Sequence, residues 1–367
     1  MSDLTYILLS DPRFVKEAKS EICLPPEGAK ELIIDKYTHV LSVPSELRIY
    51  GSQIFTYSLI PAQFADFSDI TDLSAPISGS LKPGLSFRIF LIDASSQFDS
   101  NREIEIKLGE GIESEEHLVD LTKPDCAVLL IIKDTVAIFG IAEDSASVYA
   151  IRTIFRPLQE KTDYISRAES KLEEAILRFG IDLSIVDTCI DIGAAPGGWT
   201  DLMLRNGKRV IAVDKAELEY KQLRRYGPIE IVAEPEEQDK MKRIAEMIDP
   251  AISVCASGAS DRKFRLIHIK SNFKEAAVPI PDQLKAEMLM VDSNTHYTES
   301  IRCALELSRF VKSGGLLLLT IKINNRHPKD AIEYALSELP VSYSSITFKK
   351  LIKNRREITL FAKRISS

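Results

Sequence analysis

The 367-residue sequence has little of what marks disulfide-stapled, metal-binding or membrane-spanning chains. Its five cysteines, Cys23, Cys126, Cys189, Cys255 and Cys303, lie far apart with no C-x-x-C pair. That argues against a disulfide framework and a zinc site, and for a reducing cytosol, so a cytoplasmic protein is expected. The five histidines are equally scattered, and no metal is expected. No apolar run approaches the roughly 20 residues that span a bilayer, so no membrane partner is expected either. Residues 1–11 carry acids and no basic stretch, which speaks against a signal peptide, and the apolar run 6–9 reads as a first strand. There is no internal repeat and no low-complexity tract. A net charge of −7 counts against a nucleic-acid partner in bulk, although only a contact face has to be basic. Lys349, Lys350, Lys353, Arg355, Arg356, Lys363 and Arg364 form one local concentration of positive charge. It is either such a face or a solvated strand edge.

What is present centres on residues 189–200, CIDIGAAPGGWT. An apolar strand ends in a glycine-rich turn, and an amphipathic helix follows at once. Glycines there let backbone approach a ligand closely, and the helix start offers unpaired N–H groups. A second strand, 209–213, ends in Asp214, where an acid is placed to hold ribose hydroxyls. The spacing is not G-x-G-x-x-G, so a single nucleoside such as S-adenosylmethionine fits better than a dinucleotide. The loop residues Gly193, Ala195, Pro196, Gly197 and Gly198 are the candidate cofactor cradle, with Asp191 beneath them. Trp199, the only tryptophan, either walls the pocket or packs the helix on the sheet.

Around this unit the chain reads as an N-terminal α+β module over 1–75, ferredoxin-like, a boundary at the breaker-rich 74–80, a second module over 76–150, and a linker over 151–165. Residues 166–367 then alternate strand and helix, the pattern of a mainly parallel sheet. Seven strands are expected, at about 187–192, 208–213, 264–270, 286–292, 315–322, 341–348 and 356–363. Residues 227–262 exceed what a crossover needs and read as an insertion, with a charged helix at 236–247. Four charged residues fall on strand ends or adjoining elements: Lys171, Asp292, Lys322 and Glu357. A lysine such as Lys322, after an apolar strand, is costly to bury without carboxylate partners, and Asp292 and Glu357 are candidates.

The segments SRAESKL, DIGAAPGGWT, MVDSN, LTIKI and RREITLFAKR, in this order, resemble the successive motifs of the FtsJ-type (RrmJ-like) ribose 2′-O-methyltransferases. The likeness covers about 160–365. It implies a Rossmann-like, S-adenosylmethionine-dependent methyltransferase domain with a seven-stranded, mostly parallel sheet. It also implies a Lys-Asp-Lys-Glu catalytic tetrad, here Lys171, Asp292, Lys322 and Glu357, with Lys322 taking the proton from a ribose 2′-hydroxyl. Lys171 and Asp292 would tune that lysine, and Glu357 and Lys171 would orient it and the hydroxyl. Asp292 is counted with the cofactor residues as well. The sequence departs from the family at two points: the residue after the third strand, an acid in the family, is here Asn272 or its neighbour, and the insertion is not expected. The pattern of strand, helix, VDLTKPD and hairpin over about 80–145 resembles a THUMP domain, a small RNA-binding module. With it, the likeness is nearest the RlmM type of 23S ribosomal RNA methyltransferase. The expected partner is therefore RNA, ribosomal ahead of transfer RNA, with no DNA, and the chain is expected to be a monomer.

Other chemistries fit less well. Amine N-methylases resemble one another in an Asp/Asn-Pro-Pro-aromatic motif, whereas residues 292–295 here read DSNT. Cys255 and Cys303 lack the context of a cytosine C5 nucleophile. A nicotinamide-dependent oxidoreductase would leave Lys322 and Glu357 without a role. A non-catalytic RNA-binding or assembly factor that keeps the fold is the alternative of another class, against which the intact tetrad argues.

Overall fold

Short apolar runs in the N-terminal half become the strands of one mixed sheet. The computed structural model describes residues 4–22, 28–44, 47, 53–93, 100–156, 164–232, 265–272, 280, 285–323 and 328–366. The strands are β1 (Leu4–Ser10), β2 (Lys30–Ile33), β3 (Thr38–Val43), β4 (Thr56–Asp66), β5 (Phe87–Asp93), β6 (Cys126–Lys133) and β7 (Val136–Ala142). They lie in the order β2-β3-β1-β4-β7-β6-β5. Only β5 and β6 pair in parallel. The helices here are α1 (Val15–Glu21), α2 (Asn101–Ile112) and α3 (Ser145–Phe155). The β6–β7 turn falls where expected, with Asp134 at φ 54°, a conformation Asp tolerates better than most residues.

Residues 1–75 and 76–150 share this sheet, because β4 and β7 pair directly from Ala62↔Gly140 to Asp66↔Val136. The breaker-rich stretch 74–80 is a helical turn (Ser74–Ser78) beside it, and the chain divides instead into the units Met1–Glu160 and Lys161–Ser367. Of the expected linker, residues 151–155 belong to α3, and 157–163 lie outside the described residues.

The second unit is built from α4 (Ala168–Phe179), β8 (Thr188–Ile192), α5 (Gly198–Arg205), β9 (Arg209–Val213), β10 (Ile229–Val232), β11 (Leu266–Ile269), β12 (Ala286–Val291), α6 (Tyr297–Leu307), β13 (Val311–Lys322), α7 (Pro328–Glu338), β14 (Tyr343–Lys349) and β15 (Glu357–Arg364). The sheet order is β10-β11-β9-β8-β12-β13-β15-β14. The sheet has eight strands rather than the expected seven. The addition is β10, a four-residue edge strand that pairs in parallel with β11 inside the stretch read as an insertion. Its four residues are too few to show a period. The rest of that stretch, including the expected helix at 236–247, lies outside the described residues. All pairs are parallel except β13–β15 and β14–β15, so the sheet is mixed, with β15 alone reversed.

The central strands are apolar because helices cover both faces of the sheet. Every residue of β8 is buried, as are five of the six in β12. Strand order reverses between β8 and β12. In such sheets that crevice, at the carboxyl ends of the strands, is where ligands bind.

Candidate active site

Each tetrad residue reaches this crevice from a different element. Lys171 projects from the first turn of α4, Asp292 follows β12, and Lys322 ends β13. Glu357 opens β15, which runs the other way and so begins where β13 ends. The register pairs Lys322 directly with Glu357.

The four side chains form one cluster, each 10 to 15% exposed. Lys322 Nζ lies 2.5 Å from Glu357 Oε1 and 4.0 Å from Asp292 Oδ1. Lys171 Nζ lies 3.1 Å from Asp292 Oδ2 and 3.2 Å from Glu357 Oε2. Two ammonium and two carboxylate groups therefore balance in a poorly hydrated place, which is what makes such burial tolerable. For Lys171, burial works to lower the pKa, but the charges of Asp292 and Glu357 outweigh it and the net shift is upward. For Glu357, burial works upward and is outweighed by Lys171 and Lys322, so its carboxyl falls below the usual range.

Beside the tetrad, Gly193, Ala195, Asp214, Asn272 and Asp292 line a cleft of about 590 Å³, with Ser271 and residues 293–295 completing one wall. Gly193 has φ 77°, and a Cβ there would stand 2.8 Å from the Asp292 carbonyl oxygen. No other residue fits that close crossing of β8 and β12. Asp214 accepts the amide N–H of Ala195 at 3.1 Å and that of Ala216 at 2.8 Å. The carboxylate thus ties the glycine loop to the end of β9 and keeps lone pairs for a ligand.

Asp191 is buried beneath the loop. Its Oδ2 accepts a hydrogen bond from Thr200 Oγ1 at 2.7 Å, and its Oδ1 has no partner. Burial, with Asp292 and Asp214 nearby, pushes its pKa up to about 7 despite the bond from Thr200.

Other expected residues serve the frame. Pro196 is exposed on the loop, while Gly197 and Gly198 are buried at the start of α5. A Cβ on Gly198 would run into Ser166 and the backbone of Glu169, so this glycine lets α4 pack on the loop. Trp199 is a core residue, 3% exposed, whose indole N–H donates to the Ala168 carbonyl at 2.7 Å. The packing alternative therefore describes it, and it fixes the α4 turn that carries Lys171. The basic C-terminal concentration is only partly a surface. Lys350 is fully buried and donates to the carbonyls of Leu351 and Asn354, and Arg364 is bound to backbone carbonyls. Arg355 and Arg356, next to Glu357, are exposed.

Two features were not legible beforehand. Ser293, Thr295 and Ser300 bond to one another at 2.8 to 3.3 Å and stiffen the wall after Asp292. Glu174, three residues after Lys171, is buried and accepts the amide N–H groups of Ile352 and Lys353 at 2.8 and 2.9 Å. The only trace of it in the sequence is that i, i+3 spacing, which puts it on the inward face of α4.

A cleft of about 590 Å³ at the switch point of an α/β sheet, with a largely buried lysine–carboxylate cluster at its edge, is the architecture of a ligand-binding α/β domain with a polar site. Residues 164–323 match the family model described as FtsJ-like methyltransferase, and this part of the chain is an FtsJ-like methyltransferase domain. The matched stretch contains Lys171, Asp292 and Lys322, and the pairing of β15 with β13 adds Glu357.

Over 219 residues the chain is 23% identical to the uncharacterized protein MJ1257 of Methanocaldococcus jannaschii, covering 58% of this chain and 49% of that protein. Over 214 residues it is 26% identical to ribosomal RNA large subunit methyltransferase M of Pseudomonas entomophila, covering 54% and 55%. Over 52 residues it is 50% identical to hemolysin A of Brachyspira hyodysenteriae, covering 14% and 21%. The chain thus spans about half the length, or less, of these curated relatives. Among the described residues no helix is long and apolar enough to cross a membrane, and no group of three or more His, Cys, Asp or Glu is placed to hold a metal.

Proposed function

We propose that the chain is an S-adenosylmethionine-dependent RNA methyltransferase that modifies a ribose 2′-hydroxyl, with ribosomal RNA as acceptor ahead of transfer RNA. The observation that carries this reading is the meeting of Lys171, Asp292, Lys322 and Glu357 at the edge of the glycine-loop cleft. The names of the RlmM relatives favour ribosomal RNA. The N-terminal unit, with its strand, helix and hairpin, is proposed to include the THUMP-like RNA-binding part.

The cleft suits the cofactor. Asp191 Oδ1 is an orphaned acceptor beneath the loop, Gly193 clears the space above it, and Asp214 has lone pairs to spare. These residues would hold the amino group, the methionine backbone and the ribose hydroxyls, with Asn272 on the adenine side. When bound, S-adenosylmethionine would supply a methyl group whose carbon–sulfur bond breaks as the nucleophilic acceptor oxygen bonds the carbon, the neutral thioether S-adenosylhomocysteine being the leaving group. An alcohol becomes that nucleophile only as its proton leaves. Lys322, at the end of β13, is assigned as the amine that takes the proton and has to be neutral when it does so, while Lys171 stays a cation paired with Asp292 and Glu357 beside it. Glu357, bonded to both lysines, sets the direction of the Lys322 lone pair. Most of the acceleration comes from holding the reacting groups in line.

The test is transfer of labelled methyl from S-adenosylmethionine to unmodified ribosomal and transfer RNA. Label that resists alkaline cleavage supports the reading. Label on a base, or none on either RNA while the cofactor binds, sinks it.

Asp191 adds a pH dependence. An ammonium group pairs with the carboxylate, not the carboxylic acid. With the free protein's pKa at about 7, binding below that pH has to displace a proton. S-adenosylmethionine affinity should rise about tenfold per pH unit from about pH 5 towards 7 and then flatten. In Asp191→Asn the affinity should be weaker and flat over that range. Calorimetry in two buffers of different ionisation enthalpy reads the proton release directly.

A further inference from the structure

One surface beside the tetrad is used by neither the catalytic cluster nor the cofactor cleft. The cofactor side lies at the ends of β8, β9 and β11, so an acceptor has to approach over β12, β13 and β15. There, four residues past Asp292, His296 is exposed, its ring packed on Tyr297 with centroids 4.2 Å apart and planes at 36°. Tyr297 opens α6 and meets Tyr334 of α7 edge-on, at 5.7 Å and 66°. Both tyrosines are half-buried, and neither hydroxyl has a hydrogen-bond partner among the described residues. Asn294 and Thr295 just before this row, and Glu299 just after its start, line the 590 Å³ cleft. The aromatic row therefore stands at the rim of that cleft. Packing of α6 on α7 accounts for the tyrosine pair, and a 2.9 Å hydrogen bond between His296 Nδ1 and Thr298 Oγ1 holds the exposed imidazole that extends the row into solvent.

We propose that His296, Tyr297 and Tyr334 form a stacking platform for an unpaired nucleobase of the acceptor RNA, an inference that rests on the RNA methyltransferase reading. Every base has a π-face, so aromatic rings bind single strands with little sequence preference. Bases in a duplex are already stacked, whereas unpaired loop bases can splay onto side chains. The acceptor nucleotide or its neighbour then lies in a loop or single strand, and the platform sets its ribose against Lys322.

The test uses a short single-stranded RNA carrying 2-aminopurine, whose fluorescence falls on stacking, titrated with the full chain. Wild type should quench it, and the same RNA in a duplex should not be quenched. His296→Ala and Tyr297→Leu should weaken binding about 5- to 150-fold. Tyr297→Phe, which keeps the ring, should bind as wild type does. S-adenosylmethionine binding by the variants and thermal unfolding of His296→Ala should match wild type, and exposed His296 carries the test if Tyr297→Leu, which removes a ring packed on Tyr334, is unstable. Absence of quenching by wild type, equal quenching of the duplex, or unchanged binding by His296→Ala overturns the platform. Methylation of RNA by wild type alongside any of these leaves the methyltransferase reading intact. Quenching that His296→Ala loses, with no methyl transfer to any RNA, supports the platform and overturns that reading instead.

Discussion

A Lys322→Ala enzyme is expected to bind S-adenosylmethionine as wild type does and to transfer methyl roughly 100- to 10,000-fold more slowly, the range that a positioned proton acceptor supplies. The fold should tolerate the change. Glu357 loses its 2.5 Å partner but keeps Lys171 at 3.2 Å, and Lys171 keeps Asp292 at 3.1 Å. No carboxylate is left buried without a cation, which is the circumstance that makes breaking such clusters destabilising. Lys322→Arg separates two roles. A guanidinium preserves the positive charge opposite Glu357 but does not give up its proton at any ordinary pH. If Lys322 is the base, the arginine variant should be nearly as slow as the alanine variant. If it regains most of the rate, Lys322 acts through its charge, and the proton goes elsewhere. Single-turnover transfer of labelled methyl, with cofactor binding measured in parallel, distinguishes the two.

What could be read from the sequence, and what could not, divides by the range of the interactions. The core strands of the methyltransferase domain were legible because β8, β12 and β13 are near-continuous apolar runs, as doubly covered strands must be. Gly193, Asp214, Asp292 and Lys322 were legible because each is a glycine or charged residue directly after an apolar run, whereas Lys171, on a helix, and Glu357, opening a strand, were legible only through the motif resemblance. β10 was not, since four residues between Pro228 and an acidic stretch carry too short a pattern. Nor was the continuity of the N-terminal sheet. β4 and β7 are about 70 residues apart in the chain, and each is compatible with several partners until the register from Ala62↔Gly140 is seen. The place of Lys350 was not legible for a related reason. Composition puts a lysine on the surface, while its hydrogen bonds to the carbonyls of Leu351 and Asn354 exist only in three dimensions.

Glu174 shows how much of the site depends on such unseen partners, and Glu174→Ala is expected to lower both stability and rate. The side chain is fully buried, and its two oxygens accept the amides of Ile352 and Lys353. Burial pushes its carboxyl up, opposed by those two hydrogen bonds and by the nearby charges of Arg178 and Lys350. Alanine would leave two half-buried amide donors without their acceptor and remove a negative charge that lies near Arg178 and Lys350. The loss should be roughly 2–5 kcal/mol, or on the order of 10 °C in the unfolding midpoint of a domain this size. The second effect follows from where the clamp sits. It ties the loop before β15 to α4, and α4 carries Lys171 while β15 opens on Glu357. Asn354 Nδ2, in the same loop, donates to Thr359 Oγ1 of β15 at 2.9 Å. Releasing the loop should let Glu357 drift from Lys171 and Lys322, and a displacement near 1 Å is enough to slow catalysis on the order of 100-fold. Glu174→Gln keeps one acceptor and turns an amide donor towards an N–H, so it should fall between wild type and alanine in both measurements. Assays run well below the alanine variant's unfolding midpoint separate the effects. A rate equal to wild type there, with S-adenosylmethionine bound normally, would make Glu174 a stabilising residue only. A fall in kcat at unchanged cofactor affinity would identify it as the residue that positions the tetrad.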